Sequence, residues 1–404
     1  MPSFTLTDAA RDTQLDNFSI SAADLGLSPG VGPSWSVVKR TLHGGRREGV
    51  DLIRLDNGAL SVDIVPTRGM SLRKGAFLGH PLGWRSPVSD GPVHPAFVNL
   101  QNWGGLGWLE GYDEMLVRCG LENNGAPYTE TATSADGTSR QITYGLHGKI
   151  GYIPAHFVAV HVAPEPPHEI TIEGHVDEAK LFNTQIRMIT RISTVPGSNR
   201  LRVRDEFVNL KESPSEMQVL YHWNFGPPYL GEGSRFVAPM KTVLPRDPRA
   251  AEGIDRFDVY GAPEPGYAEQ VYFFELLGRG PGARTLAMLR DSRGERAVAI
   301  RFSTEELRGF TLWKNTSGLA EGYVTGLEPA TNYPNAKPFE KARGRVVTIP
   351  PGGRHVTDTT LEILEGAEAV AAAEAEIREI QGGSKPVIHP RPVEPFAPET
   401  PTAR

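Results

Sequence analysis

The chain has 404 residues, 39% of them hydrophobic and 22% charged, with a formal net charge of −6. That is enough apolar material for two ordinary domains or one large β domain. The acidic balance excludes the clustered lysines and arginines that a nucleic-acid partner needs. A single cysteine, Cys119, excludes an intramolecular disulfide and a thiolate metal site, and it reads as a buried small hydrophobe. The first 15 residues lack a basic stretch followed by an apolar one, and no run of about 18 apolar residues occurs, so the expectation is a cytoplasmic protein without a membrane partner.

In chain order, residues 50–55, the turn Asp56-Asn57-Gly58 and residues 59–66 predict a β-hairpin. Residues 86–151 are rich in Gly, Asn and Trp and alternate little. They read as ordered loops with one short helix, covering one end or face of the fold. A second, longer hairpin is predicted at 184–195 and 200–210, joined by Pro196-Gly197-Ser198-Asn199. Further strands are predicted at 152–162, 169–176, 271–276, 285–289, 297–302, 310–314, 345–349 and 356–364. Many short strands with regular turn signals predict an all-β sandwich or barrel. Near the end, Val370, Ala373, Ile377 and Ile380 share one helical face over residues 367–380, and Gly382-Gly383 stops that helix. The Pro-rich stretch beyond is an extended tail. The expected organisation is an N-terminal extension packed on the sandwich (1–45), the sandwich domain (46–365), and the C-terminal helix and tail (366–404). That last segment is the candidate contact of a homo-oligomer.

The candidate chemistry begins on Glu216-Met217-Gln218-Val219-Leu220-Tyr221-His222-Trp223-Asn224-Phe225-Gly226. On a strand, side chains alternate faces. Met217, Val219, Tyr221, Trp223 and Phe225 therefore form a core face, while Gln218, Leu220, His222 and Asn224 share the other. His222 and Asn224 read either as a pocket lining or as a rim histidine with its neighbour. His147 lies in the glycine-rich Gly145-Leu146-His147-Gly148 turn, open to ligand or merely on the surface. Glu328 ends an apolar strand ahead of Pro329-Ala330-Thr331-Asn332 and reads either as a carboxylate facing a cleft, suited to general-base work, or as a solvated acid at the start of a loop. Arg68 in Thr67-Arg68-Gly69-Met70 reads either as planar donors to hydroxyls or a carboxylate of a ligand, or as an arginine paired with an acid at the core edge. Glu122 and Asn123 follow Arg118-Cys119-Gly120-Leu121 in the irregular segment. No phosphate loop, dinucleotide fingerprint, nucleophile elbow or zinc-protease motif occurs. The histidines lack metal-ligand spacing, and only a meeting of His80, His94 and His147 would suit a metal.

Together these stretches resemble the aldose 1-epimerase (galactose mutarotase-like) superfamily, and within it the divergent DUF4432 branch. The resemblance spans about Val50 to Leu364 and rests on Thr67-Arg68-Gly69-Met70, Cys119-Gly120-Leu121-Glu122-Asn123, Gly145-Leu146-His147-Gly148, His222-Trp223-Asn224 and Leu327-Glu328-Pro329-Ala330-Thr331-Asn332. It implies a β-supersandwich of large antiparallel sheets and a cofactor-independent exchange of the anomers of a free sugar. Glu328 resembles the catalytic base and His222 the acid that protonates the ring oxygen. His147 resembles the second, sugar-binding histidine and Asn224 the asparagine that follows the acid; with Arg68, Asn332 and Glu122 from the readings above they make the expected substrate-binding set, with no metal and no cofactor. The pair would sit on opposite sides of one pyranose ring, with Trp103 or Trp223 stacked on it. Two other functions fit the same residues. One is a non-catalytic carbohydrate-binding protein. The other is a lyase or isomerase of an oxidised or acidic sugar, whose carboxylate Arg68 or Arg118 would pair.

Overall fold

The computed structural model describes residues 2–27, 34–88, 90–133, 137–181 and 183–398. Strand alternation puts Met217, Val219, Tyr221, Trp223 and Phe225 on one face of the strand Ser215–Phe225, and all five lie in the main hydrophobic core. That strand occupies the middle of a fourteen-stranded sheet. On one side of it lie, in order, Val324–Ala330, Gly309–Asn315, Gln270–Leu276, Met240–Pro245 and Val387–Ile388. On the other lie Leu116–Leu121, Ser71–Phe77, Leu60–Val65, Val50–Asp56, Ser36–Leu42 and Asn17–Ser21. A second, ten-stranded sheet is built around Arg354–Glu365, Arg200–Asn209, Gln185–Thr194 and Ile170–Ala179, with Ser3–Asp8 near one edge.

The two sheets bury a common core that includes Val160, Ile172, Met188, Val203 and Leu361 from the smaller and Val62, Leu72, Tyr221, Trp223 and Leu327 from the larger. A polar link crosses this core. Arg118 donates twice to Asp205, at 3.0 Å each, and the Tyr221 hydroxyl donates to Asp205 at 2.6 Å. Every charged group in it has a partner, which is the condition for holding charge in a core.

The predicted all-β sandwich is the observed fold, as large antiparallel sheets. Residues 86–151 differ from the expected loops in supplying the strand Leu116–Leu121 and the hairpin Tyr128–Thr133 with Ser139–Tyr144. Leu116–Leu121 is buried at every residue, so it never shows the alternation that marks a half-exposed strand. The rest of the segment does cover a face. Trp108 and Tyr112, with Val98, Leu100 and Leu146 beside them, pack over Val117, Cys119, Leu220 and Ala330.

The C-terminal helix runs Ala367–Gln381. Its buried Val370, Ala373 and Ile377 pack on Leu286, Met288, Ala297 and Ala299 of the smaller sheet, so its apolar face is covered by its own chain. The tail beyond returns to the larger sheet. Val387–Ile388 pairs in parallel with Met240–Pro245, and Val393, Phe396 and Ala397 pack on Leu244, Val271, Phe273 and Tyr333.

Candidate active site

Two neighbouring strands bring the candidate groups together. In the ladder between Ser215–Phe225 and Val324–Ala330, Asn224 lies opposite Gly326 and Leu220 opposite Ala330. That register sets His222 opposite Glu328 on the face away from the core. Directly opposed residues in an antiparallel pair have adjacent side chains. His222 Nε2 lies 3.2 Å from Glu328 Oε1. They are 5% and 2% exposed.

The rest of the site decides how the imidazole is protonated. Asn224 Nδ2 donates to the carbonyls of Glu114 (3.0 Å) and His222 (2.9 Å), which turns Asn224 Oδ1 toward His222 Nδ1 at 2.6 Å. Nδ1 therefore carries the proton of the neutral ring, and Nε2 is an acceptor aimed at Glu328. The Tyr112 hydroxyl lies 3.2 Å from the same Nδ1. Burial, reinforced by the charge of Glu269, holds the Glu328 carboxyl well above the usual carboxylate range. Burial, with His147 nearby, holds the His222 imidazole well below its ordinary value. Both shifts favour the neutral forms, so the pair carries one proton between its two facing atoms.

His147 stands over this pair, its ring centroid 5.4 Å from that of His222 and 4.8 Å from Trp108. The loop holding it is clamped to the strand Leu116–Leu121 by Gly120 N to His147 O and Lys149 N to Gly120 O, both 2.9 Å. Gly148 has φ +66°, and a Cβ there would meet Gly120 O at 2.2 Å, so the motif's glycine is a close-approach residue. His147 Nδ1 donates to Asn124 O at 2.9 Å, which leaves Nε2 as its free acceptor. Burial pushes this imidazole down to about 4. Asn332 joins the arrangement from below, donating to Asn124 Oδ1 at 3.2 Å.

The partly exposed members mark the entrance: His147, Trp313, Arg246 and Glu269. The Trp313 ring lies 5.4 Å from His222, and its indole N–H donates to Glu269 at 2.7 Å. Arg246 sits between Asp247 (2.7 Å) and Glu269 (3.0 Å). A shallow cavity of about 240 Å3 lined by Val38, Arg40, Leu52, Arg54 and Asp63 lies elsewhere, on the far strands of the same sheet, and none of its lining residues belongs to this group.

The predicted residues divide into three sets. His222, Glu328, His147 and Asn224 meet directly, and Asn332 reaches His147 through Asn124. Arg68 does not open onto a ligand. It is fully buried, donates to Glu114 (Nε, 2.6 Å) and to Val93 O (3.1 Å), and lies over the Tyr152 ring at 4.0 Å. Its connection to the site is indirect, because the carbonyl of Glu114 holds Asn224. Glu122 is engaged by Lys180 (3.0 Å) and Lys149 (3.4 Å).

The expected stacking residues are also replaced. Trp103 is 83% exposed on the surface, and Trp223 is in the core on the opposite face. Trp108 and Trp313 flank His222 instead. Nothing in the sequence marked Trp313, Arg246 or Glu269, because cross-strand register brings them in. His80, His94 and His147 do not meet: His80 bonds Arg296 at 3.2 Å, and His94 accepts from Ala96 N at 3.1 Å. Among the described residues no group of three His, Cys, Asp or Glu side chains is disposed to hold a metal. No helix among them is long and apolar enough to cross a membrane.

Gly326 is a further position the sequence did not reveal. A Cβ there would meet Glu328 Oε1 at 2.3 Å and His222 Cε1 at 3.1 Å. The obstructed atom is the end of a flexible side chain, so Gly326→Ala should leave stability within about 1 kcal/mol. The same methyl would turn the carboxyl off the imidazole and lower turnover about 100-fold. Paired melting and rate measurements on this variant test both halves.

The two sheets and the face they present define a galactose mutarotase-like fold. The chain aligns with a candidate aldose 1-epimerase from Klebsiella pneumoniae subsp. pneumoniae MGH 78578 at 35% identity and a TM-score of 0.89, covering 96% of this chain and 98% of that one. It has the fold of a galactose mutarotase-like protein from Clostridium acetobutylicum (17% identity, TM-score 0.53, 81% and 98% covered). It shares that fold with a galactose 1-epimerase from Lactobacillus acidophilus NCFM (12% identity, TM-score 0.53, 82% and 99% covered). The chain belongs to the DUF4432 family, described as a domain of unknown function, whose pattern it matches over residues 47–363. No curated protein matches it.

Proposed function

We propose that this protein is a cofactor-independent sugar epimerase of the aldose 1-epimerase type, with Glu328 as base and His222 as acid. The observation that carries this reading is an imidazole and a carboxyl group facing each other at 3.2 Å, beneath His147 and two indoles. The separation leaves no room for a pyranose between them, so the expected straddling geometry is replaced by an edge-on one. The anomeric hydroxyl and the ring oxygen are bonded to the same carbon, and a side-by-side pair faces both at once.

The proton count closes. With the proton on His222, the Glu328 carboxylate takes the anomeric proton while Nε2 gives its proton to the ring oxygen. The C1–ring-oxygen bond breaks and the C1 carbonyl forms. The pair then holds its one proton on Glu328. After rotation about C1–C2, the reverse transfers close the ring and restore the starting state. Asn224 fixes the tautomer, and His147 Nε2 accepts a sugar hydroxyl. Asn332 and Arg68 act as positioning residues through Asn124 and Glu114, and Glu122 holds Lys149 beside the His147 turn.

A neutral sugar suits this site better than an acidic one. Arg68 and Arg118 are engaged by Glu114 and Asp205, and Arg246 by two carboxylates. The direct test is anomer equilibration of neutral monosaccharides, followed by polarimetry or NMR. Sugar binding without exchange faster than buffer would leave only the carbohydrate-binding role.

The shared proton also sets the pH dependence. The raised Glu328 and lowered His222 values widen the range over which the pair keeps one proton, so kcat/KM should be flat through 6.5, where an ordinary histidine titrates. Activity falls only when the pair gains a second proton at lower pH or loses its proton at higher pH. An acid limb centred on 6.5 would remove the shared-proton assignment.

A further inference from the structure

Buried polar atoms in a folded protein nearly always have hydrogen-bond partners, and those that do not call for an explanation. Among the described residues, two atoms around the candidate pair have none: Thr311 Oγ1 and Trp108 Nε1. Their burial is nearly complete, with Thr311 and Trp108 each 1% exposed.

The sheet places these atoms around one spot. Thr311 is the cross-strand neighbour of Glu328 on the side opposite His222, so His222, Glu328 and Thr311 form a row across three adjacent strands. Trp313, two residues along from Thr311 and therefore on the same face, touches His222. Trp108 descends from the covering segment, with its ring centroid 6.3 Å from His222 and 4.8 Å from His147. The Thr311 hydroxyl thus stands beside the pair on the sheet, and the Trp108 ring, with its unpartnered N–H, stands over it.

We infer that Thr311 Oγ1 and Trp108 Nε1 are the hydroxyl-binding groups of the site, and that the ligand is a neutral sugar with at least two free hydroxyls besides the anomeric one. This deepens the sugar-site reading and rests on it. A hydroxyl of a bound sugar donates to or accepts from Thr311, and another accepts the Trp108 N–H. Neither residue transfers a proton; both fix the ring edge against the pair.

An orphan polar atom kept for a ligand weakens the ligand-free protein. Valine has nearly the shape of threonine without its hydroxyl, so the substitution separates a binding role from a structural one. Thr311→Val should leave the melting temperature unchanged or raise it by about 1–2 °C. It should also raise KM, and the dissociation constant from calorimetry, about 10-fold, with kcat within about twofold. The probes are D-galactose and D-glucose with their 2-, 3-, 4- and 6-deoxy analogues. The penalty of Thr311→Val should vanish against one deoxy sugar, the one lacking the hydroxyl that Thr311 binds. Trp108→Phe should show the same pattern against a different analogue.

The outcomes separate the two readings. Weaker binding by Thr311→Val, in a protein that does not speed anomer exchange, keeps the binding groups and removes the epimerase. Unchanged binding and KM in an active enzyme keep the epimerase and overturn the inference. A melting temperature lowered by several degrees with unchanged affinity makes Thr311 structural and overturns it as well. A wild-type protein that binds none of the sugars overturns both.

Discussion

Glu328→Gln should slow anomer exchange about 1,000-fold while the protein stays folded and becomes more stable at neutral pH. The amide cannot take the anomeric proton, and loss of a positioned acid–base group costs between about 100- and 10,000-fold. The contact itself survives, because an amide N–H can donate to His222 Nε2, the acceptor left by the Nδ1 bond to Asn224. The stability gain follows from linkage. The Glu328 carboxyl has a folded-state value raised above its unfolded one, so its contribution to stability is fully present at low pH and is lost as pH rises through the folded value. An amide has no such loss. The advantage of the variant over wild type should therefore be absent near pH 4 and grow toward pH 8. Denaturant titrations at the two pH values measure it. A variant less stable than wild type at pH 8 would mean that Glu328 is an ordinary ion-pair partner, and unchanged exchange would take it out of the mechanism.

Arg68→Met carries the largest expected effect on the fold. Arg68 and Glu114 are both fully buried and face each other, with Arg68 Nε 2.6 Å from the carboxylate. Removing one member of a buried pair leaves the other charge uncompensated, at a cost of about 3–5 kcal/mol. Burial already raises the Glu114 carboxyl, and Arg68 opposes that rise. Without the guanidinium the folded value climbs further, and Glu114 folds as the neutral acid. Stability of the variant then falls as pH rises above the unfolded value, so the deficit should be smaller at pH 5 than at pH 8. Adding Glu114→Gln should recover most of the loss, giving a coupling energy of opposite sign to the single effects. If Arg68→Met instead altered KM with stability intact, the guanidinium would be a ligand group after all. The same test reports on the site, since the Glu114 carbonyl holds Asn224 and receives the Trp84 indole N–H at 2.9 Å.

Much of this was readable from the chain where one strand reports on itself. The alternation of Met217, Val219, Tyr221, Trp223 and Phe225 against His222 and Asn224 separates the core face from the opposite face, and the structure separates them the same way. The heptad-like spacing of Val370, Ala373 and Ile377 located the helix within one residue of its observed end. Legibility failed where both faces of a strand are covered. Leu116–Leu121 has no polar face to reveal its period, so a central strand passed for a loop. It failed again for charged residues whose partners are distant in sequence. Arg68 reads equally as a ligand group or as the partner of a core-edge acid, and Arg118 as the partner of a substrate carboxylate; only the fold brings Glu114 and Asp205 to them.

The amino-acid sequence by itself determined the secondary-structure class and the family, and it singled out His222 and Glu328 as candidates, because those depend on local periodicity and short motifs. Tertiary structure decided their relation. A register between two strands about a hundred residues apart set His222 against Glu328, placed Gly326 and Thr311 beside them, and brought Trp108 down from a separate segment. The imidazole–carboxyl contact and the orphaned hydrogen-bonding atoms arise from distances and burial, which no stretch of sequence contains before the sheets close on each other.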